Sequence, residues 1–196
     1  MSNMLHNTRL EILMKFLGNY QIETYGRELV GKVSLSQKAI ALALEELENQ
    51  GLLRSHEQGK IKYYKLNLDN TEIKDILALA ELSKKIDFFQ KQRKIASIFR
   101  KNNRIVGIFG SYAKGTQKEE SDIDLFVIGE KEKEDYDKKG KLYDLNISIK
   151  YFSQKEFEEL IKKKNPLCSE IIKDHIIIFG VEKFIDIVWG NYYGFD

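Results

Sequence analysis

The first 68 residues place apolar side chains at helical spacing and then at strand spacing. Apolar residues three or four positions apart predict three helices, at about residues 8–17, 25–31 and 34–51. The segments 53–55 and 61–66 instead predict two strands, which flank the turn Glu57-Gln58-Gly59. This part of the chain is therefore predicted to contain three helices followed by a hairpin.

Beyond residue 68 the pattern is first helical and then changes period. Residues 69–102 carry an apolar face at helical spacing and predict a connecting helix or helix pair. From residue 104 onward we expect strands at 105–109, 123–128, 145–152 and 176–179. A helix is predicted at 153–163, where Ser153 and Glu156 form a capping pattern, and a short helix is predicted after the last strand. Strands that alternate with helices indicate an α/β or α+β sandwich.

Composition sets limits on the class of protein. Of the 196 residues, 42% are hydrophobic and 32% are charged, which is typical of a globular domain or a pair of small ones. The net charge of +2 does not by itself indicate a nucleic-acid partner. Cys168 is the single cysteine, so an intramolecular disulfide is excluded. No signal-peptide pattern and no apolar run of membrane-spanning length is found, and we expect a cytoplasmic protein without a membrane partner.

One segment of the second half combines a phosphate-type turn with two acidic residues. Gly110-Ser111 follows a predicted strand, and such a turn exposes backbone N–H groups that suit a phosphate. Asp122 and Asp124 are two positions apart on the next strand, so their carboxylates project from the same face. Two adjacent carboxylates repel unless a cation lies between them, and Mg²⁺ prefers hard oxygen ligands shared with phosphates. Lys114, in the same turn region, is a further candidate for a phosphate contact.

Together the motifs Gly110-Ser111-Tyr112-Ala113-Lys114-Gly115 and Ser121-Asp122-Ile123-Asp124-Leu125 resemble the DNA polymerase β-type nucleotidyltransferase superfamily, in particular its minimal, antitoxin-like branch. The resemblance covers roughly residues 104–184. It implies metal-assisted transfer of a nucleoside monophosphate from a nucleoside triphosphate to a hydroxyl. By this resemblance Gly110, Ser111 and Lys114 would bind the triphosphate, expected to be ATP. Asp122 and Asp124 would be the catalytic residues that hold Mg²⁺ or Mn²⁺.

The chain departs from the family pattern at the third carboxylate. The family supplies this group from a later strand, within an apolar-acid-apolar triplet, and the matching triplet here is Leu145-Asn146-Ile147. The amide of Asn146 is neutral and cannot act as a base. Asp144 has the same strand parity, but it lies two residues further back along the predicted strand. We therefore expect nucleotide binding and reduced turnover.

Residues 8–67 resemble the winged helix-turn-helix of bacterial and archaeal transcription regulators, through Leu44-x-x-Leu47-Glu48-x-x-Gly51-Leu52 and the Lys60-x-x-Tyr63-Tyr64 segment. In such folds the third helix enters the major groove. The resemblance predicts base or backbone contacts from one helix end and one hairpin: Ser36, Gln37, Lys38, Arg54, Lys60 and Lys62. Three glutamates further along the helix (Glu45, Glu46 and Glu48) would repel phosphate. Dimerisation or docking of another protein is the alternative use of this module.

The sequence thus predicts an α+β protein with a winged-helix domain at 1–68, a helical connector at 69–102 and a nucleotidyltransferase-like domain with a mixed sheet at 103–196. Three functions remain open. The first is an enzyme that transfers a nucleoside monophosphate to a protein or nucleic-acid hydroxyl. The second is a duplex-DNA-binding regulator that senses nucleotide. The third is an antitoxin-like module that binds a toxin-like protein partner. We expect a homodimer.

Overall fold

The computed structural model describes residues 8–100, 102–130 and 136–195. The chain divides into two compact units, Met1–Ser83 and Lys84–Asp196. The boundary lies inside the segment predicted as a connector, so the division into three parts remains a prediction. Among the described residues, no helix is long and apolar enough to cross a bilayer.

The described residues of the first unit, from Thr8 onward, form four helices and a three-stranded antiparallel sheet. In chain order these are α1 (Thr8–Leu13), β1 (Thr24–Tyr25), α2 (Gly26–Leu29), α3 (Gln37–Asn49), β2 (Leu53–Gln58), β3 (Ile61–Leu66) and the first part of α4 (Ile73–Lys91). The strand order is β1-β3-β2. The predicted helices and hairpin are present, but α1 ends at Leu13 and β2 continues to Gln58, so the turn lies after Gln58 and not at residues 57–59. Strand β1, which the sequence did not predict, pairs with β3 through Thr24 and Tyr25.

Helix α3 is the longest element that lies wholly within this unit. It begins after Ser36, whose hydroxyl accepts a hydrogen bond from the N–H of Ala39 at 3.3 Å. The start predicted at Ser34 is therefore two residues early, because the Ser34 N–H instead donates to a carboxylate oxygen of Glu11. Ile40, Leu44 and Leu47 are buried, as their spacing predicts.

The second unit is built on a mixed four-stranded sheet, β4 (Ile105–Phe109), β5 (Ile123–Ile128), β6 (Ile147–Phe152) and β7 (Ile176–Phe179). The strand order is β6-β5-β4-β7. β4 runs antiparallel to both β5 and β7, and β5 runs parallel to β6. The predicted mixed sheet is confirmed, and the bounds of β4, β5 and β7 agree with the sequence prediction.

Helices cover both faces of this sheet. They are α5 (Arg93–Ala96), α6 (Gly110–Lys114), α7 (Tyr136–Lys141), α8 (Gln154–Lys162), α9 (Pro166–Lys173) and α10 (Val181–Val188), and a π-helical turn follows at Trp189–Tyr193. On one face, Leu125 and Val127 pack with Ile95, Ile98 and other apolar side chains of a buried cluster. On the other face, the ring centroid of Phe184 lies 5.9 Å from that of Phe126 and 6.4 Å from that of Phe157.

The start of β6 and two helices, α7 and α9, differ from the sequence prediction. β6 begins at Ile147 and not at residue 145, because Asp144 lies in a turn with φ 56° and the Leu145 N–H donates to the Gly140 carbonyl. Helix α9 was not predicted. Its start signal is in the sequence, since the Asn165 side chain caps it and Pro166 occupies its first turn. The predicted capping box of α8 at Ser153 and Glu156 is confirmed.

Candidate active site of the second unit

Gly110 forms the turn between β4 and α6. Its φ is 69°, in the left-handed region that favours glycine. Phe109 before it is extended, and α6 ends at Lys114 because Gly115 takes a left-handed conformation with φ 70°. The chain therefore leaves the sheet at Gly110, passes Ser111 and presents Lys114 one helical turn later. Ser111 is partly exposed and Lys114 is exposed.

The carboxylate of Asp124 lies directly against this turn. Phe109 and Asp124 are partners in the β4–β5 ladder, so Gly110 is the next residue along from the acidic position. A Cβ built on Gly110 would overlap Oδ2 of Asp124. A residue with a side chain cannot replace Gly110 without moving this carboxylate. The structure thus brings the predicted phosphate-type turn and one predicted metal ligand together.

Asp122 precedes β5 by one residue and is exposed. The negative charges of the two aspartates interact. The pKa of Asp124 is raised above its usual value, first by burial and then by the charges of Asp122 and Glu170. The cations Lys150 and Lys114 act in the opposite direction on this pKa. The site therefore holds more negative charge than its own lysines neutralise at Asp124.

Lys114 does not extend freely into solvent. Its ammonium donates to Oε1 of Glu170, which lies on α9. This hydrogen bond is the first cause of the raised pKa of Lys114, and the charges of Glu170, Asp174 and Asp124 add to it. Sequence reasoning did not find Glu170 or Lys150, because a separation of 56 residues between Lys114 and Glu170 gives no local pattern.

The neighbouring strand offers neutral groups beside the two aspartates. Ser148 is the ladder partner of Asp124. Asn146 lies just before β6, where its main-chain carbonyl accepts the N–H of Ile123 at 2.9 Å. Asp144, considered from the sequence as a distant substitute, is in a turn outside the strand, so the expected strand parity does not apply to it. The residues nearest in register thus contribute an amide and a hydroxyl in place of a third carboxylate.

The donor set fits a divalent ion that is shared with a phosphate group. Asp122 and Asp124 offer hard carboxylate oxygens, and the missing Cβ of Gly110 leaves the space that Oδ2 of Asp124 occupies. Over residues 8–100, 102–130 and 136–195, no group of three or more histidine, cysteine, aspartate or glutamate side chains is arranged to hold a metal. An ion bound here would therefore need further ligands from the substrate or from water.

A known protein family matches part of the second unit. Residues 93–183 match the family model described as "Polymerase beta, Nucleotidyltransferase". This segment is similar to the polymerase β nucleotidyltransferases. The match includes the turn at Gly110, both aspartates and α9, and it supports the superfamily expected from the sequence. A search of the curated proteins found no match, and a search of the solved structures found none either.

The match does not extend to the first unit, so the winged helix remains a prediction. In the first unit, some of the predicted DNA-contacting residues are exposed, and two of them form ion pairs within the protein. Ser36, Gln37 and Lys38 lie exposed at the start of α3, and Lys60 is exposed in the β2–β3 turn. Arg54 instead forms an ion pair with Asp69 at 2.7 Å, and Lys62 forms one with Glu48 at 2.6 Å.

The ion pair formed by Lys62 and the ion pair formed by Lys114 differ in their surroundings. The ion pair of Lys62 with Glu48 joins β3 to α3. The ion pair of Lys114 with Glu170 joins α6 to α9, and both of its charges act on the pKa of Asp124, a candidate ligand. The first contact therefore has a sufficient structural explanation. The second lies at the candidate active site.

Proposed function

We propose that the chain binds a magnesium–nucleoside triphosphate complex, with ATP as the nucleotide, and transfers the nucleoside monophosphate to a hydroxyl of a protein or nucleic acid. The observation that carries this proposal is the contact between the Asp124 carboxylate and the Gly110 turn. This contact supports the proposal because a carboxylate beside a glycine turn suits a metal ion that is shared with a phosphate. The match of residues 93–183 to the nucleotidyltransferase family supports the same reaction class.

The roles proposed for the residues follow from their chemistry. Asp122 and Asp124 hold the divalent ion, which supplies neutralising charge to the triphosphate when bound. Gly110 and Ser111 contact the triphosphate, and Lys114 contributes a positive charge beside it. In the transfer, the acceptor oxygen bonds to the α-phosphorus and the bond to the bridging oxygen of the β-phosphate breaks. Pyrophosphate leaves, and the proton of the acceptor hydroxyl passes to solvent.

Slow turnover is part of this proposal. Asn146 and Ser148 are the polar residues of the neighbouring strand beside the aspartates, and neither carries a negative charge. A neutral amide or hydroxyl cannot remove the acceptor proton as a carboxylate does. The same observation favours a second candidate function, in which the domain binds the nucleotide without turnover and acts as a sensor or as an antitoxin-like partner module.

The test is a calorimetric titration of ATP with and without Mg²⁺, on the full chain. We expect binding that requires Mg²⁺ and that is lost in Asp122→Asn and in Asp124→Asn. Asp144→Asn is the matched control, since it removes a nearby aspartate that lies in a turn with positive φ, a conformation that asparagine tolerates. Failure of the wild type to bind Mg-ATP would overturn the proposed function.

Turnover is tested separately with α-labelled ATP, Mg²⁺ and a cell lysate. The enzyme reading predicts that label is transferred to a macromolecule and that transfer is lost in Asp124→Asn. Asn146→Asp restores a carboxylate beside Asp122 and is expected to increase transfer. If the wild type binds Mg-ATP yet neither protein transfers label, the sensor function replaces the enzymatic one.

We also propose that the first unit binds duplex DNA as a winged helix, with Lys38 and Lys60 among its contacts. The order of its elements and the β1-β3-β2 sheet support this assignment. Lys60→Ala is expected to weaken binding to genomic DNA fragments and to flatten its salt dependence, because a phosphate contact releases counterions. Lys32→Ala, whose ammonium is paired with Glu28 at 3.0 Å, is the control. If the wild type does not shift such fragments at low salt, the DNA-binding proposal fails.

A further inference from the structure

The ion pair between Lys114 and Glu170 connects two elements of the candidate active site. Lys114 is the last residue of α6, the helix that begins at Gly110. Glu170 lies in the middle of α9 and reaches Lys114 across 56 residues of sequence. Both side chains are partly exposed, at 38% and 41%. An exposed pair of this kind adds little to folding stability. A role for it is therefore sought in its position beside the candidate site.

The backbone of α9, from which the Glu170 side chain extends, is held by a helix cap and by buried side chains. Asn165 caps the helix through the N–H groups of Leu167 at 3.0 Å and Cys168 at 3.4 Å. Cys168, Ile171 and Ile172 are almost fully buried beneath it. Lys114, in contrast, has a long flexible side chain at a helix end that Gly115 terminates. The backbone that carries Glu170 is therefore anchored, and Lys114 has the longer side chain of the pair.

The pair also lies within electrostatic reach of the acidic motif. Glu170 and Lys114 both act on Asp124, in opposite directions, and Asp124 acts in turn on Lys114. A lysine ammonium has three donors. One of them is used by Oε1 of Glu170, which leaves two for other oxygen atoms. Lys114 can thus keep its pair with Glu170 while it donates to a phosphate beside Asp124.

We propose that Glu170 is a positioning residue, which holds the Lys114 ammonium beside Asp124 before the triphosphate binds. This inference rests on the proposed function, because it concerns the same site. Glu170 restricts the rotamers of the lysine in the free protein, so that less conformational entropy is lost when the phosphate contact forms. In this proposal the effect of Glu170 on nucleotide affinity depends on Lys114, and Glu170 itself does not contact the nucleotide.

The experiment is a double-mutant cycle on the full chain, with Mg-ATP affinity measured by calorimetry for the wild type, Glu170→Gln, Lys114→Met and the double variant. We expect Glu170→Gln to weaken binding by about two- to fivefold, the range of an exposed ion pair. The same change in the Lys114→Met background is expected to have no effect. Glu159→Gln is the matched control, because Glu159 is exposed and is not among the groups that shift the pKa of Asp124 or Lys114.

The outcomes separate this inference from the proposed function. Tighter binding in Glu170→Gln would mean that the carboxylate repels the anionic nucleotide, and unchanged binding would mean that it does not act on the site; both overturn the positioning role. Equal loss in both lysine backgrounds would indicate a structural effect of α9 and would overturn it as well. Each of these results leaves wild-type binding of Mg-ATP intact. Absence of wild-type binding would overturn both proposals together.

Discussion

At the scale of single residues, the position of the Asp124 carboxylate depends on the absence of a side chain at Gly110. Gly110 has a positive φ, and the space its Cβ would take is filled by Oδ2 of Asp124. Gly115 has nearly the same backbone conformation, with φ 70°, but a Cβ there would meet nothing within 4 Å. The two glycines therefore separate the effect of backbone strain from the effect of the carboxylate contact.

Gly110→Ala is expected to destabilise the protein more than Gly115→Ala. The left-handed conformation costs an alanine about 1–2 kcal/mol at either position, and only at Gly110 must a carboxylate also move. We expect Gly110→Ala to lose Mg-ATP binding and Gly115→Ala to retain it. Urea unfolding and calorimetry of both variants provide the measurement. Equal destabilisation and equal affinity would contradict the role of the Gly110–Asp124 contact.

Cys168 gives a prediction that depends on pH. Burial, followed by the charge of Glu156, raises the pKa of its thiol from 9.0 to about 11. Because the native thiol keeps its proton to higher pH than the unfolded one, the stability of the fold is expected to fall as pH rises from 9 to 11. In the native protein the thiol is expected to react slowly with a disulfide reagent at pH 8, and rapidly in urea. Equal rates in the two states would show that the thiol is accessible in the folded protein.

Some residues of the candidate site could be predicted from the sequence and others could not, for a physical reason. Gly110, Ser111, Asp122 and Asp124 belong to two short motifs whose spacing carries their chemistry. Glu170 has no such motif, and only the packing of α9 on the sheet brings it to Lys114. Ser148 could have been found from the parallel register of β5 and β6, but that register depends on where β6 begins.

At the scale of elements, the buried strands were predicted best. β4, β5 and β7 are short apolar runs that the surrounding polar residues delimit, and their bounds were predicted correctly. The start of β6 was predicted two residues early, because a local turn at Asp144 overrides the alternation of Leu145 and Ile147. Alternation alone cannot show that a residue with positive φ interrupts a strand.

The link between α3 and the β2–β3 hairpin provides a prediction at the same scale. Glu48 on α3 accepts from Lys62 on β3 at 2.6 Å and from the hydroxyl of Ser55 on β2. These contacts lower the pKa of Glu48, with Lys62 as the first cause. A lowered carboxyl pKa stabilises the fold above the ordinary value of 4.5, and this contribution is lost as pH falls below it.

We therefore expect Glu48→Gln to destabilise the first unit by about 1 kcal/mol at pH 7, and by less at pH 3. Thermal unfolding followed by circular dichroism at the two pH values measures this difference. Glu45→Gln is the control, since Glu45 is exposed on the same helix and the contacts to Lys62 and Ser55 are made by Glu48. A loss that is the same at both pH values would indicate that packing, and not charge, joins α3 to the hairpin.

At the scale of the whole molecule, the chemistry that we assign to nucleotide binding lies within one unit. The residues from Gly110 to Glu170 all belong to Lys84–Asp196. A ligand at 100 times its dissociation constant stabilises the state that binds it by about 2.7 kcal/mol. Saturation with Mg-ATP is thus expected to slow amide hydrogen exchange in β4, β5 and α9. Slowing confined to Met1–Ser83 would place the nucleotide elsewhere.

In the second unit, the strands on the two sides of β4 are synthesised at different times. β4 and β5 are close along the chain, so the contact between Gly110 and Asp124 can form as soon as the hairpin-like pair has left the ribosome. β7, which completes the sheet on the other side of β4, ends at Phe179, 55 residues after Asp124. At about 5–20 residues per second, translation separates the two by roughly 3–11 s. Both halves of the candidate site, the Gly110 turn and the acidic motif, are therefore synthesised before the edge strand β7 exists.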